Sequence, residues 1–543
     1  MHPFVYFWRA TQVNLAIVSG VVFTLASPAM SGEIEDAIAA QIQPISESQL
    51  EAIDGVPISS SEFIARLYEL RAFRPIWETD QRRAELFEEL SEAILHGFRP
   101  EDFEVNVLQR LAAVAATGDP HAIATFDIVA TEAAARLLHH LYYGKVNPAT
   151  LYADWGFDRA FDPGDPAVIV SQYLEVASFS SLLEDFGPSH PAYFRMQEGL
   201  AHLVALAERG GWPRVPEGVV LTPGMEDERV LVLRQRLAIS GDYDGLEDNG
   251  NLYDSDLELA VKAFQQRHGL EPDGVVGPRT YQALNRTVEE RIDQIRVSLE
   301  RARWTLREVG AEYVLVNIGG AETFYVTDNE MIWRTRSIVG QAYRRTPVFQ
   351  DEIRYVEINP TWTVPHSIFL RDKLPRIRED LSYLARGGYT VVDRDGRAID
   401  PTTVNWMADN PAVTLIQRPG PENALGAIKF MFPNEHSVYL HDTNDRSLFA
   451  QAHRTLSSGC VRIEHPFELA DLLLAESSGW SFARREQILA SGNTTRLDLP
   501  RPVPVILTYY TAWVDSLGAL QFREDVYERD QAVLSALNEH FPG

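Results

Sequence analysis

The stretch Tyr313-Val314-Leu315-Val316-Asn317-Ile318-Gly319-Gly320-Ala321-Glu322-Thr323-Phe324-Tyr325-Val326 decides the fold. Two runs rich in β-branched and aromatic residues flank a Gly-Gly pair, which punctuates a hairpin. Upstream of it apolar positions recur at helical spacing, and from it onward the pattern is largely of period two. A β-rich region starts here, so the chain reads as a multidomain α+β protein: helical scaffold, small helical domain, β-rich domain.

Downstream, strands are expected at 336–339, 354–358, 413–417 and 437–441, with a helix after Pro466. Between 365 and 411 the pattern is interrupted by helical character at 377–385 and by a hairpin at 390–398 around Asp395-Gly396. An insertion of that size near a site often acts as a lid.

The chemistry falls at 436–465. Val438-Tyr439-Leu440-His441 alternates, so Tyr439 and His441 share one strand face while Val438 and Leu440 pack on the other. His441 is therefore expected to face a surface or cleft. Nineteen residues later stands Ser457-Ser458-Gly459-Cys460-Val461-Arg462, which holds the chain's single cysteine. Glycine before the thiol lets backbone approach a substrate, and the N–H groups of Gly459 and Cys460 are candidates for an oxyanion hole. A thiol with a pKa of about 8.5 is mostly protonated at neutral pH, so a nearby imidazole and the Arg462 cation would raise its thiolate fraction. A buried, inert cysteine is the alternative.

Upstream, the segment 286–304 reads as a helix. Before it Val230, Leu233 and Leu237, then Leu257, Val261 and Phe264, then Tyr281 and Leu284 after Gly277-Pro278 outline three short amphipathic helices. Gly210-Gly211-Trp212-Pro213-Arg214-Val215-Pro216 reads as a linker. Residues 34–205 carry helical spacing cut by breakers at Gly97 with Pro100, Gly144 with Pro148 and Pro163 with Gly164. The aromatic patches at 73–77 and 141–145 fit core packing better than binding surfaces. At the start, a positively charged segment ending at Arg9, an apolar run at 15–26 and small residues at Ser27, Ala29 and Ser31 have the build of a signal peptide. An uncleaved inner-membrane anchor is the alternative.

Composition bounds what the chain can do. Its 543 residues exceed one ordinary core. With 49 Lys plus Arg against 77 Asp plus Glu, its field repels phosphate backbones, which argues against nucleic acid. One cysteine allows no intrachain disulfide. His436 and His441 lie five apart on opposite strand faces and His453 falls in a loop, so a three-ligand zinc set is not expected, nor is any metal or cofactor.

Two resemblances follow. Ala260-Val261-Lys262-Ala263-Phe264-Gln265, Gly269-Leu270, Asp273-Gly274, Gly277, Thr280 and Leu284-Asn285 resemble the peptidoglycan-binding domain of bacterial wall enzymes. His441-Asp442-Thr443 followed by Ser457-Ser458-Gly459-Cys460-Val461-Arg462 resembles the signature of the YkuD-type L,D-transpeptidases, although many members have His where this chain has Ser458. Residues 355–365, 426–433 and 511–515 are similar to the large periplasmic subgroup with a helical scaffold and a capping subdomain. The resemblance implies a signal peptide at 1–31, a scaffold at 32–205, a linker at 206–221 and a peptidoglycan-binding domain at 222–286. It places the catalytic domain at 287–515, its capping insertion at 366–410, and a C-terminal segment at 516–543.

The same resemblance implies a periplasmic acyltransferase with Cys460 as nucleophile and His441 as base. The imidazole would be oriented by a main-chain carbonyl, with Asp442 a turn residue. Substrate or oxyanion roles would fall to Gly459, Ser458, Tyr439, Arg462, Trp362 and Lys429. Packing roles for Tyr439 and Trp362, and a bracing role for Arg462, stay open. The implied partners are peptidoglycan stem peptides, a tetrapeptide donor and a diaminopimelate acceptor, together with wall-synthesis proteins. Carbapenems should acylate Cys460. A carboxypeptidase, a lipoprotein-anchoring enzyme and a non-catalytic wall-binding scaffold remain as alternatives.

Overall fold

The computed structural model describes residues 28–46, 52–152, 155–157, 164–245, 250–307 and 309–539. The expected leader lies outside them through residue 27, and the helix Pro28–Ser46 follows, spanning both expected cleavage positions. Among the described residues no helix is long and apolar enough to cross a membrane.

The N-terminal region is helical, built around Pro120–Tyr143, a 24-residue helix capped by Asp119. It is buried on nearly every side, from Ala124 through Leu141, because the helices Pro28–Ser46 and Val105–Ala115 pack around it. Ile76, Trp77, Leu141 and Tyr142 are buried, so the two aromatic patches are core. Lys145 is buried as well, its Nζ donating to Asp102 Oδ1 at 2.7 Å and to the Leu537 carbonyl at 2.8 Å.

Three helices, Arg229–Ile239, Ser255–Arg267 and Pro278–Leu284, form the small domain around Leu233, Leu257, Val261, Phe264 and Leu284. The helix Val288–Thr305 leads out of it, with Thr287 and Glu290 closing a capping box. It packs against the helices Pro191–Glu208 and Asp530–Asn538. Its fully buried Glu300 accepts from the Val146 amide at 2.7 Å, Arg303 Nε at 3.0 Å and Trp304 Nε1 at 3.2 Å. A buried carboxylate needs such partners to offset its desolvation, and these tie the helical region to the helix that leads into the β-rich region.

The expected hairpin is present, Glu312–Asn317 against Glu322–Thr327, with Asn317 opposite Glu322. It belongs to a nine-stranded sheet. From one side the order is Thr455–Ser457, Glu330–Gly340, Val461–Ile463, Leu440–His441, Ile428–Met431, Phe349–Ile358, Thr495–Thr508, Glu312–Asn317 and Glu322–Thr327. The last strand also pairs with Glu330–Gly340, so the sheet closes on itself and leaves only the short strand Thr455–Ser457 as an edge.

Three sequence expectations shift. The strand expected at 437–441 pairs only over Leu440–His441, because the Asn434 side chain holds the preceding loop. Asn434 donates to the Phe432 and Val438 carbonyls and accepts from the Val438 amide, and Ser437 has φ +55°. The strand Thr414–Gln417 lies outside the main sheet. It pairs with Trp362–Thr363 and Tyr389–Val392 in a separate three-stranded sheet. The expected hairpin at 390–398 keeps one bridge, Val392 to Ala398. The segment expected as a cap therefore shares a small core with the residues that flank it, Trp362, Phe369, Leu374, Ile377, Leu384, Tyr389 and Leu415.

Candidate active site

Leu440–His441 sits between an antiparallel and a parallel neighbour. His441 is opposite Lys429 on one side and Arg462 on the other, and Lys429 is opposite Glu357. Directly paired residues share a sheet face, so Glu357, Lys429, His441 and Arg462 form a row across four strands. Tyr439, two residues before His441, lies on the same face, with ring centroids 5.6 Å apart. Val438 and Leu440 are buried on the other. His441 is itself only 4% exposed, so it sits beneath the surface rather than on it.

Cys460 ends the turn before the strand Val461–Ile463 and is half-buried. Gly459 has φ +121°, a region in which glycine alone is unstrained. Ser457 Oγ donates to the Cys460 carbonyl at 2.5 Å and accepts from the Gly459 amide at 3.1 Å. Of the two expected oxyanion donors, the Gly459 N–H therefore already has an acceptor. The Cys460 thiol donates to the Ser437 carbonyl with Sγ 3.8 Å away, and the Tyr439 hydroxyl is its other partner. His441 Nδ1 meets the Asp442 carbonyl at 2.5 Å.

Burial dominates the electrostatics. It pushes the thiol of Cys460 up, opposed by hydrogen bonds from Tyr439 and by Arg462. Burial, and then the Arg462 charge, bring His441 down to about 3. The imidazole is thus neutral, and two backbone carbonyls, of Asp442 at Nδ1 and of Leu425, orient the ring. Burial raises Tyr439 well above the usual phenol range, with Cys460 adding to the rise. The Asp442 carboxylate is no triad member: it accepts from the Ala427 amide at 2.9 Å and Arg446 at 2.7 Å, and burial pushes its pKa up.

The other expected site residues fall as follows. Lys429 pairs with Glu357 at 2.7 Å and its Nζ lies 6.0 Å from the Tyr439 ring centroid. Trp362 is buried in the cap core, where Tyr439 packs against the same cluster. The buried Nε of Arg462 meets no acceptor. Ser458 is exposed, and its hydroxyl accepts from Arg344 Nη1 at 2.9 Å.

Arg344 is a residue that the sequence did not single out. Its guanidinium grips Asp372 of the cap through both carboxylate oxygens, at 2.6 and 2.9 Å, so one side chain joins the cysteine turn to the cap. Thr346, also missed, reaches the same turn through the Gly459 carbonyl, and Tyr527, missed as well, holds Thr346. The signal available was Gly340: a side chain there would collide with the Arg344 carbonyl, so the loop that follows folds back on the strand end.

Residues 311–497 match the family model described as "L,D-transpeptidase catalytic domain", residues 226–284 a "Putative peptidoglycan binding domain" and residues 62–200 a "Scaffold domain". A Haemophilus influenzae protein named "Putative L,D-transpeptidase" is 36% identical over 221 residues, covering 40% of this chain and 45% of that protein. The Mycobacterium tuberculosis N-acetylmuramoyl-L-alanine amidase CwlM is 38% identical over 80 residues, 13% of this chain and 20% of that one. The chain thus spans less than half the length of either curated relative. Solved structures of L,D-transpeptidases from Xylanimonas cellulosilytica and Stackebrandtia nassauensis align at 17% and 13% identity. They cover 54% of this chain and 98% and 96% of theirs, with TM-scores of 0.18 and 0.21. The chain therefore carries a scaffold domain, a peptidoglycan-binding domain and a YkuD L,D-transpeptidase catalytic domain, in that order.

Proposed function

We propose that this protein is a peptidoglycan L,D-transpeptidase that works in the periplasm by cysteine acyl transfer and forms 3→3 cross-links. The observation that supports this most is the placement of the chain's single thiol. Cys460 is half-buried at a tight turn beside the sheet face that carries His441, Tyr439, Lys429 and Arg462. Its Sγ attacks the carbonyl between the third residue and the terminal D-Ala of a tetrapeptide stem. His441 takes the thiol proton and returns it to the departing D-Ala amine, while the Cys460 N–H binds the oxyanion. The C–N bond breaks and a thioester remains. A diaminopimelate side-chain amine on a neighbouring stem then attacks the thioester carbonyl, His441 takes the proton the amine loses, the C–S bond breaks, the new amide forms and the proton passes back to the Cys460 sulfur.

Arg462, beside His441 on the same sheet face, is the cation for a stem carboxylate. Lys429 is held by Glu357 and supports the row. Tyr439 and Trp362 wall the donor site beneath the cap, Gly459 gives the turn its approach to substrate, and Ser458 links the turn to Arg344. The peptidoglycan-binding domain keeps the enzyme on the wall, alongside wall-synthesis proteins. Carbapenems acylate the same thiol.

The test is mass spectrometry of products after incubating the purified protein with disaccharide-tetrapeptide, beside Cys460→Ala. A dimer lacking one D-Ala, absent from the variant, is the expected result. D-Ala loss without dimer would instead make it a carboxypeptidase, and dimer formation by Cys460→Ala would remove Cys460 as nucleophile.

A further inference from the structure

Four buried hydrogen bonds connect the C-terminal segment to the cysteine turn. Tyr527 Oη donates to the Gly340 carbonyl at 2.6 Å and accepts from the Thr346 amide at 3.1 Å. Thr346 Oγ1 accepts from the Gly340 amide at 2.9 Å and donates to the Gly459 carbonyl at 2.8 Å. Tyr527 and Thr346 are fully buried. Tyr527 is itself fixed, its ring stacked on Tyr509 at 5.3 Å and its amide donating to Tyr509 Oη at 3.0 Å.

The Gly459 carbonyl and the Cys460 N–H belong to one peptide unit. That unit is planar and trans, so its C=O and N–H point in opposite directions. Whatever fixes the carbonyl therefore aims the N–H. Thr346 anchors the carbonyl from beneath, and the Gly459 N–H is occupied by Ser457. The Cys460 N–H is left as the turn's donor for developing negative charge. Gly459, at φ +121°, does not hold the plane by its own backbone preferences, because glycine has few.

We infer that Thr346, braced by Tyr527, is the positioning residue that aims the Cys460 N–H at the oxyanion, and that the segment after residue 515 completes the catalytic site through this contact. The inference rests on Cys460 acting as an acyl acceptor, as proposed above. Neither hydroxyl touches substrate. Both act by holding one peptide plane in a donor geometry that would otherwise have to be found during the reaction.

The test compares two reactions of the same thiol in the full chain. With p-nitrophenyl acetate, Sγ attacks the ester carbonyl, an oxyanion develops, p-nitrophenolate leaves and the acetyl group stays on sulfur. With iodoacetamide, Sγ displaces iodide at a saturated carbon and no oxyanion forms. Thr346→Val and Tyr527→Phe are expected to slow ester acylation about tenfold and to change alkylation by less than about twofold. Thr346→Ser keeps the hydroxyl and should restore acylation. A parallel fall in both reactions, or acylation unchanged in Thr346→Val, would overturn the inference. If the wild type is acylated by the ester yet makes no product from tetrapeptide, the substrate reading fails while this comparison still decides the role of Thr346.

Discussion

Cys460 and His441 both rest uncharged, for one reason: each is shielded from water, His441 almost wholly and Cys460 in part, and burial disfavours whichever form carries charge. For the thiol this means a rise, and for the imidazole a fall to about 3. Arg462 favours the thiolate and disfavours the imidazolium, and burial outweighs it at the thiol. The pair therefore differs from a thiolate–imidazolium pair, in which the histidine would titrate near or above 6.5. Alkylation of Cys460 by iodoacetamide should rise about tenfold per pH unit from 6 to 8 and level off only above the ordinary thiol value of about 8.5. Stopped-flow rates across that range give the profile, and a plateau already present at pH 6 would contradict a neutral pair. At this scale the sequence was legible where chemistry is scarce. One cysteine, with a histidine nineteen residues before it, stands out from 543 residues. Thr346 did not, because a threonine before Pro347 in a loop looks like any turn residue until its hydroxyl is seen on the Gly459 carbonyl.

Among the elements, the cap shows how a single ion pair can matter locally and little globally. Arg344 and Asp372 join the loop after Glu330–Gly340 to the segment Phe369–Lys373, and the Asp372 side chain is 38% exposed. Partial exposure limits such a pair to about 1 kcal/mol at most, while the apolar cluster around Phe369 and Leu415 supplies the cap's own stability. Asp372→Asn should thus leave the denaturant midpoint of the whole chain nearly unchanged and speed proteolytic cleavage within 366–410. Identical cleavage rates in both proteins would mean that apolar packing alone holds the cap down. The cap was legible as an interruption of the period-two pattern, but its partner strands were not, since pairing between 362 and 417 is a long-range choice. The long strand Thr495–Thr508 was unreadable for another reason. Pro500, Pro502 and Pro504 suggest a loop, and its register does shift between Asp498 and Val503 before pairing resumes.

Across the whole molecule, half-buried and buried histidines brace the packing of helices and of neighbouring parts. His190 Nε2 lies 2.6 Å from Tyr313 Oη, between the helical region and the first sheet strand. His96 Nδ1 lies 2.8 Å from Tyr193 Oη, and His268 stacks on Phe522 at 5.5 Å, between the small domain and the hairpin 512–522. Burial lowers all three, His190 to about 4, His96 to about 3 and His268 well below its usual value. A histidine whose folded pKa is depressed binds its proton only on unfolding between that value and 6.5. The unfolded state then holds more protons, so stability is full above about 6.5 and falls as pH drops towards 4. Each such group contributes about 1.4 kcal/mol per pH unit over that window. Guanidinium unfolding at pH 7, 6 and 5 should show a progressive loss, smaller in His190→Gln. A midpoint independent of pH would refute this account.

The sequence by itself determined the order of the parts and singled out the candidate thiol, because periodicity, glycine and proline punctuation and a unique cysteine are local properties of a chain. It could place Tyr439 and His441 on one face, since alternation along a strand needs no partner. Only the tertiary structure decided which strands flank that face, and hence that Lys429 and Arg462 stand on either side of His441. It also decided that the imidazole is buried and neutral, that a cap carboxylate holds Arg344, and that Tyr527 reaches the cysteine turn through Thr346. Each of these depends on closing a loop across tens to hundreds of residues, and nothing in the local sequence records which distant group will arrive.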